Sequence, residues 1–256
     1  MSATLVDSHC HLDFPELAGQ LDGIFALMRE NAVAKALCVS VTLEDFPRVH
    51  ALAMAHDFLY ASAGVHPDYP DLPVVTEDDL LTRAALPRVV AIGETGLDYY
   101  RLTGDLEWQR ERFRTHIRAA RACTKPLIIH TRSAAEDTIR LMQEERAGDA
   151  GGVMHCFTES WEVARAALDL GFYISFSGIV TFRNAKEVQA VAAKVPLDRM
   201  LVETDSPYLA PVPFRGKINQ PGHVRHVARY LAALRGVQED AFADITTSNF
   251  HQLFKV

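Results

Sequence analysis

Long apolar runs are missing from this chain. Nothing in it approaches the ~20 consecutive apolar residues that a membrane-spanning helix needs, and no basic stretch near the start leads into an apolar one. Neither a membrane partner nor a signal peptide is expected, and the cytoplasm is the default location. Cysteine is scarce: Cys10, Cys38, Cys123 and Cys156 are scattered and form no C-x-x-C pair. That excludes a thiolate zinc site and a disulfide framework, and leaves four small core residues. Positive charge is also in deficit, with 26 Lys and Arg against 33 Asp and Glu and a net charge of −7. A broad basic footprint for nucleic acid is therefore absent, and any polyanion must be held locally by metal ions and a few cations. No linker or low-complexity tract divides the 256 residues, which are read as one domain.

Short apolar runs alternate with segments of helical periodicity. Strands are expected near Leu5-Val6, Ala36-Val41, Leu59-Gly64, Val89-Gly93, Leu127-His130, Val153-Cys156, Tyr173-Phe176 and Leu201-Thr204. Helices are expected over Leu106 to Ala122, Ala134 to Glu145, Trp161 to Leu170, Val224 to Leu234 and Glu239 to Phe254, where apolar residues recur every three or four positions. This rhythm predicts an α/β fold, a parallel (β/α)8 TIM-like barrel. A doubly wound open sheet is the competitor, although no Gly-rich phosphate loop follows the first strand.

The ionisable residues collect at one end of these strands. His9 and His11 follow the first, Glu94 the fourth, His130 ends the fifth, His155 the sixth, and Glu203 and Asp205 the eighth. Carboxyl ends of parallel strands are where sites assemble. Period two turns His9 and His11 to one side and Cys10 to the other. One such motif alone is as readily a hydrogen-bonded strand end or a turn. Several together are hard to explain as packing, because burying so many ionisable groups is costly without a metal or a partner. The donors exceed what one tetrahedral ion requires, so two divalent ions sharing a bridging carboxylate are expected, with Glu94 as the bridge. Mixed nitrogen and oxygen donors suit Zn or Mn, whereas Mg prefers an all-oxygen shell; the ion's identity stays open among Mg, Mn and Zn. His50, His56, His116, His226 and His251 lie in helical segments, where exposed or capping roles are expected, and Tyr99 and Tyr100 receive no role.

With those residues in place, the sequence resembles the TatD-type metal-dependent deoxyribonucleases, among the metal-dependent barrel hydrolases. The resemblance rests on Asp7-Ser8-His9-Cys10-His11-Leu12, Gly64-Val65-His66-Pro67, Gly93-Glu94-Thr95-Gly96-Leu97-Asp98-Tyr99, Ile129-His130-Thr131-Arg132, His155-Cys156-Phe157-Thr158, Glu203-Thr204-Asp205-Ser206-Pro207-Tyr208-Leu209 and Arg215-Gly216-Lys217-Ile218-Asn219. It implies that His9, His11, Glu94 and Asp205 hold one ion and Glu94, His130 and His155 the other. It further implies that His66, Arg215, Lys217 and Asn219 meet substrate phosphate, and that the reaction is hydrolysis of DNA phosphodiesters from a 3′ end. Asp205 would accept the proton of the attacking water, with Glu203 orienting ligands or assisting transfer. The acidic balance favours single-stranded or frayed 3′ ends over long duplex, and a monomer is expected. Two positions depart from the family pattern: Gln220 stands where Glu is usual and Glu159 where Gly is common. The competing readings are an amidohydrolase or carboxyl-ester hydrolase using the same metal pair, and a metal-binding protein without catalysis.

Overall fold

Strands that are apolar along their whole length must be covered on both faces, and parallel strands joined by helices meet that need. The computed structural model describes residues 3–256. It begins with β1 (Leu5–Cys10), α1 (Pro15–Ala18), α2 (Leu21–Glu30), β2 (Val33–Cys38), α3 (Phe46–Ala55) and β3 (Leu59–Ala63). The middle of the chain forms α4 (Glu77–Ala84), β4 (Val89–Asp98), α5 (Glu107–Cys123), β5 (Leu127–Arg132), α6 (Ala135–Glu144) and β6 (Gly152–Met154). The last third adds α7 (Trp161–Asp169), β7 (Tyr173–Phe176), α8 (Lys186–Lys194), β8 (Met200–Val202), α9 (Val224–Arg235) and α10 (Glu239–Phe254). The strands pair in sequence order, all in parallel. The ring closes where His11 N–H donates to the Ser206 carbonyl at 2.8 Å and Asp205 N–H to the His9 carbonyl at 2.9 Å. The architecture is a (β/α)8 barrel, and the open-sheet alternative falls with that closure. Among the described residues, no helix is long and apolar enough to cross a membrane.

Only β7 keeps its expected bounds; β1 runs on to Cys10, and β2 and β4 also depart by three residues or more. β2 begins at Val33, which pairs with Leu5 of β1, and its Lys35 sends its ammonium to the Tyr60 hydroxyl at 3.0 Å. It ends at Cys38, so the apolar residues up to Val41 belong to the loop above it. β4 continues five residues past Gly93. Its pairing with β5 shifts register between Ile92 and Thr95, an irregularity that Gly93 and Gly96 permit. Gly93 has φ +143°, and a Cβ there would sit 2.7 Å from the Ile128 carbonyl oxygen.

The barrel interior is layered. At the amino ends of the strands, Val6, Tyr60, Val90, Val153, Tyr173 and Leu201 pack with Phe250, Leu253 and Phe254 of α10, which closes that end. Above them stand small hydroxyl residues: Ser8 and Ser175 lie 3.2 Å apart, and Ser62 donates to the Gly93 carbonyl at 2.6 Å. Only the carboxyl end is left to open outward. Phe250, 1% exposed at the centre of the plug, should cost about 3–5 kcal/mol when replaced by Ala. Urea unfolding of Phe250→Ala measures this, and a loss below about 1 kcal/mol would mean that α10 is not what seals the barrel.

Candidate metal centre

Glu94 is carried into the centre of the open end by the irregular stretch of β4, and its side chain is 3% exposed. Its two oxygens face different groups. Oε2 stands 3.3 Å from His9 Nε2 and 4.0 Å from His11 Nε2; these two nitrogens are 3.2 Å apart, and Asp205 Oδ1 lies 3.5 Å from His11 Nε2. Oε1 faces His155 Nε2 at 2.7 Å, His130 Nδ1 at 3.2 Å and His66 Nε2 at 3.4 Å. Donors that share one cation at ~2.1 Å stand ~3.0–3.4 Å apart; the separations around Glu94, from 2.7 to 4.0 Å, bracket that spacing. Asp205 reaches its place from a left-handed backbone (φ 56°), and Cys156, just after His155, is also left-handed (φ 43°). Such strain is tolerated where the surroundings fix a functional geometry.

Hydrogen bonds decide which ring nitrogen is free to bind a cation. His11 Nδ1–H donates to the Val39 carbonyl at 3.0 Å, which leaves the Nε2 lone pair toward Asp205. His155 Nδ1–H donates to Glu203 Oε1 at 3.2 Å, which leaves Nε2 toward Glu94. His130 is turned the other way: Nε2–H donates to Asp98 Oδ2 at 3.1 Å, and Nδ1 is the free donor. His66 differs from all three. Its Nδ1 accepts from Asp68 N–H at 3.1 Å, so the neutral ring carries its proton on Nε2, the atom facing Glu94. His66, Glu94 and His130 could hold an ion by distance alone, but that tautomer makes His66 a hydrogen-bond donor instead of a ligand.

Buried polar atoms without a protein partner mark where the site is incomplete. His9 Nδ1 and Glu203 Oε2 are of this kind, whereas His155 Nε2 has the Glu94 carboxylate 2.7 Å away; His9, His155 and Glu203 offer ligand atoms within 4.8 Å of one another. Divalent cations fit this donor set: His9, His11 and Asp205 on one side of Glu94, His130 and His155 on the other. Burial favours the neutral acid at Glu94, but the surrounding imidazoles outweigh it and hold its pKa well below the ordinary range. Burial would depress His11, yet Asp205 and Glu94 raise it to about 9. His66 goes down to about 4, through burial and the neighbouring His130 and His155, against the pull of Glu94.

The sequence-predicted residues divide into two groups. His9, His11, His66, Glu94, His130, His155, Glu203 and Asp205 converge. Arg215, Lys217 and Asn219 do not reach the cavity above them. Arg215 lies 4.4 Å over the Phe182 ring and Lys217 5.9 Å over Phe214, both exposed on the outer loop. Asn219 is fully buried, its amide donating to the Thr204 and Tyr208 carbonyls while Oδ1 accepts from Gln220 N–H. Asn219 therefore holds the loop that carries Asp205. The cavity, about 550 Å³, is instead lined by Arg101 and Arg132, together with Phe14, Tyr69 and Tyr208. Glu159 and Gln220 do not line it. Asp98 and Arg132 escaped the sequence reading, although period two from Glu94 and His130 points to both.

The sequence profile of the family described as "TatD related DNase" matches residues 6–255. The chain belongs to the TatD family. It is 50% identical over 255 residues, 98% of this chain and 96% of the other, to a protein of Escherichia coli K12 named "Uncharacterized metal-dependent hydrolase YcfH". To YabD of Bacillus subtilis, named in the same way, it is 40% identical over 98% of this chain and 99% of the other. The crystal structure of the E. coli TatD homologue YjjV superposes over 100% of both chains with a TM-score of 0.92 at 30% identity. As a TatD-family member the chain is a metal-dependent hydrolase, and its clusters of His, Glu and Asp are able to hold the metal.

The protonation of His11 gives a test that needs no substrate. A ring with a raised pKa is protonated at pH 7, whereas a cation requires it neutral. Metal affinity should rise with pH through 7 and 8 and level off above about 9, with proton release on binding. Titration calorimetry in two buffers of different ionisation enthalpy measures that release. Uptake without protons at pH 7 would contradict the arrangement.

Proposed function

We propose that this TatD-family hydrolase cleaves phosphodiester bonds of DNA, taking single-stranded or frayed 3′ ends, with two divalent cations that His9, His11, Glu94, His130, His155 and Asp205 would hold. The observation that carries the reading is the pair of arginines at the mouth of the metal centre in a chain of net charge −7. Arg132 lies 4.0 Å over the Tyr100 ring, which keeps its guanidinium flat and directed, and Arg101 pairs with Asp68 at the same rim. Arginine clamps suit phosphate oxygens, and exposed Tyr100 and Tyr208 offer faces on which unpaired bases stack. A duplex would need many more phosphate contacts than this rim supplies.

Bound cations supply Lewis acidity toward a phosphoryl oxygen and make a water molecule more acidic. Asp205, whose side chain is 16% exposed against 3% for Glu94, is the more open carboxylate of the donor set and takes the proton of the attacking water. His66 donates from Nε2 to a phosphoryl oxygen as charge grows there. Glu203 touches the reaction through His155: its Oε1 also accepts from Cys156 N–H at 2.7 Å, so it fixes the ring's rotation.

The test pairs substrates with variants. Metal-loaded protein should shorten a single-stranded oligonucleotide carrying a 5′ label faster than a duplex, and leave amide and carboxyl-ester panels untouched. Glu94→Gln should lose turnover, and His66→Ala should lower kcat by roughly 10²-fold or more. Arg132→Ala should raise KM about tenfold or more with a smaller change in kcat. Turnover of amides or carboxyl esters with intact oligonucleotide would replace this reading by the amidohydrolase or esterase one.

A further inference from the structure

The loop after β3 carries His66 and Asp68 into the cavity, and no strand or helix of its own shapes it. What holds it is a polar stripe on α5. Gln109, Arg112 and His116 recur at helical spacing and are all buried, although a helix face turned to a core is ordinarily apolar. Each takes one backbone group of the loop, at alternate residues. His116 Nε2 accepts from Val65 N–H at 3.0 Å while its Nδ1–H donates to the Arg112 carbonyl at 2.8 Å. Gln109 Nε2 donates to the Pro67 carbonyl at 3.2 Å, and Arg112 donates to the Tyr69 carbonyl at 2.8 Å. His116 is thus a buried bracket, against the exposed or capping role its helical position suggests.

Alternation has a direct geometric result. With the backbone of residues 65, 67 and 69 tied to the helix, the loop is held where the His66 ring faces Glu94 at 3.4 Å and Asp68 stands beside it at the cavity. The loop is further fixed by His66 N–H donating to the Val41 carbonyl at 2.9 Å. Gln109 does one thing more. Its Oε1 accepts from Asp98 N–H at 2.9 Å, and Asp98 orients His130. One amide side chain therefore spans the residue after His66 and the residue behind a metal ligand.

We infer that Gln109, Arg112 and His116 are positioning residues, a clamp on α5 that sets the ring of His66 against Glu94 and, through Gln109 alone, also sets His130 through Asp98. The inference rests on the metal centre and on His66 as its donor, not on which ester or amide is cut. None of the three touches substrate or cation; they act through the loop and through Asp98.

The clamp predicts an asymmetry that a merely structural role would not produce. In Gln109→Met, close in shape, the affinity for one of the two metal equivalents should fall about tenfold. In the long-range 1H–15N spectrum, assigned against His66→Gln, the His66 signal should change from the Nε2–H tautomer to a tautomer mixture. In Arg112→Met the His66 signal should change while both metal affinities stay as in the wild type. Far-ultraviolet circular dichroism and a thermal melt establish that each variant is folded; Arg112→Lys, which restores a donor to the Tyr69 carbonyl, should return the wild-type signal. A folded Gln109→Met with unchanged metal affinity and unchanged His66 spectrum would overturn the clamp, as would an Arg112→Met that weakens metal as much as Gln109→Met. Should oligonucleotides prove not to be the substrate while these metal and spectral shifts occur, the proposed substrate fails and the clamp stands.

Discussion

One buried carboxylate organises this protein. An ionised Glu94 in the middle of a barrel is tolerable only because imidazoles crowd both of its oxygens, and His11 among them, raised to about 9, becomes a neutral ligand at pH 7 only if a cation takes the place of its proton. The rest of the fold supplies that position. Gly93 and Gly96 let β4 break register so that the carboxylate points inward, the serine layer beneath leaves it room, and α10 seals the far end so that water and substrate come from one side.

The histidines around Glu94 look alike in sequence and differ in what holds them. A carbonyl fixes His11, Glu203 fixes His155, Asp98 fixes His130, and a backbone N–H fixes His66. The first three partners are acceptors, so each leaves a lone pair for a cation. The fourth is a donor, so His66 keeps a proton to give to an oxygen. Roles within the site thus follow from partners one step outside it, and two of these partners, Asp98 and the loop of His66, are themselves held by α5.

Much of this was legible in the sequence. The apolar runs around Ile92, Ile128 and Ile174 identified their strands because parallel strands are covered on both faces. The donors sat at the carboxyl ends, so His9, His11, Glu94, His130, His155 and Asp205 were readable as one site. Boundaries were less readable where a side chain disguised its surroundings: Lys35 snorkels and hides the start of β2, and the glycines around Glu94 mimic a turn inside a strand. Arg215, Lys217 and Asn219 do not line the cavity, since a motif shows which residues travel together and not which way they face; Asn219 spends its amide on the loop, and the arginines at the mouth come from β5 and the loop after β4. The polar stripe on α5 could not be read from periodicity, since Gln109, Arg112 and His116 look like the solvent face that they are not.

The claim most open to direct test is that a single carboxylate bridges two cations. Manganese(II) titrated into the metal-free protein and followed by electron paramagnetic resonance reports it without any substrate. The account predicts a spin-coupled spectrum at two equivalents that is lost in Glu94→Gln. Binding of one equivalent, or of two whose signals stay those of isolated ions, would contradict it.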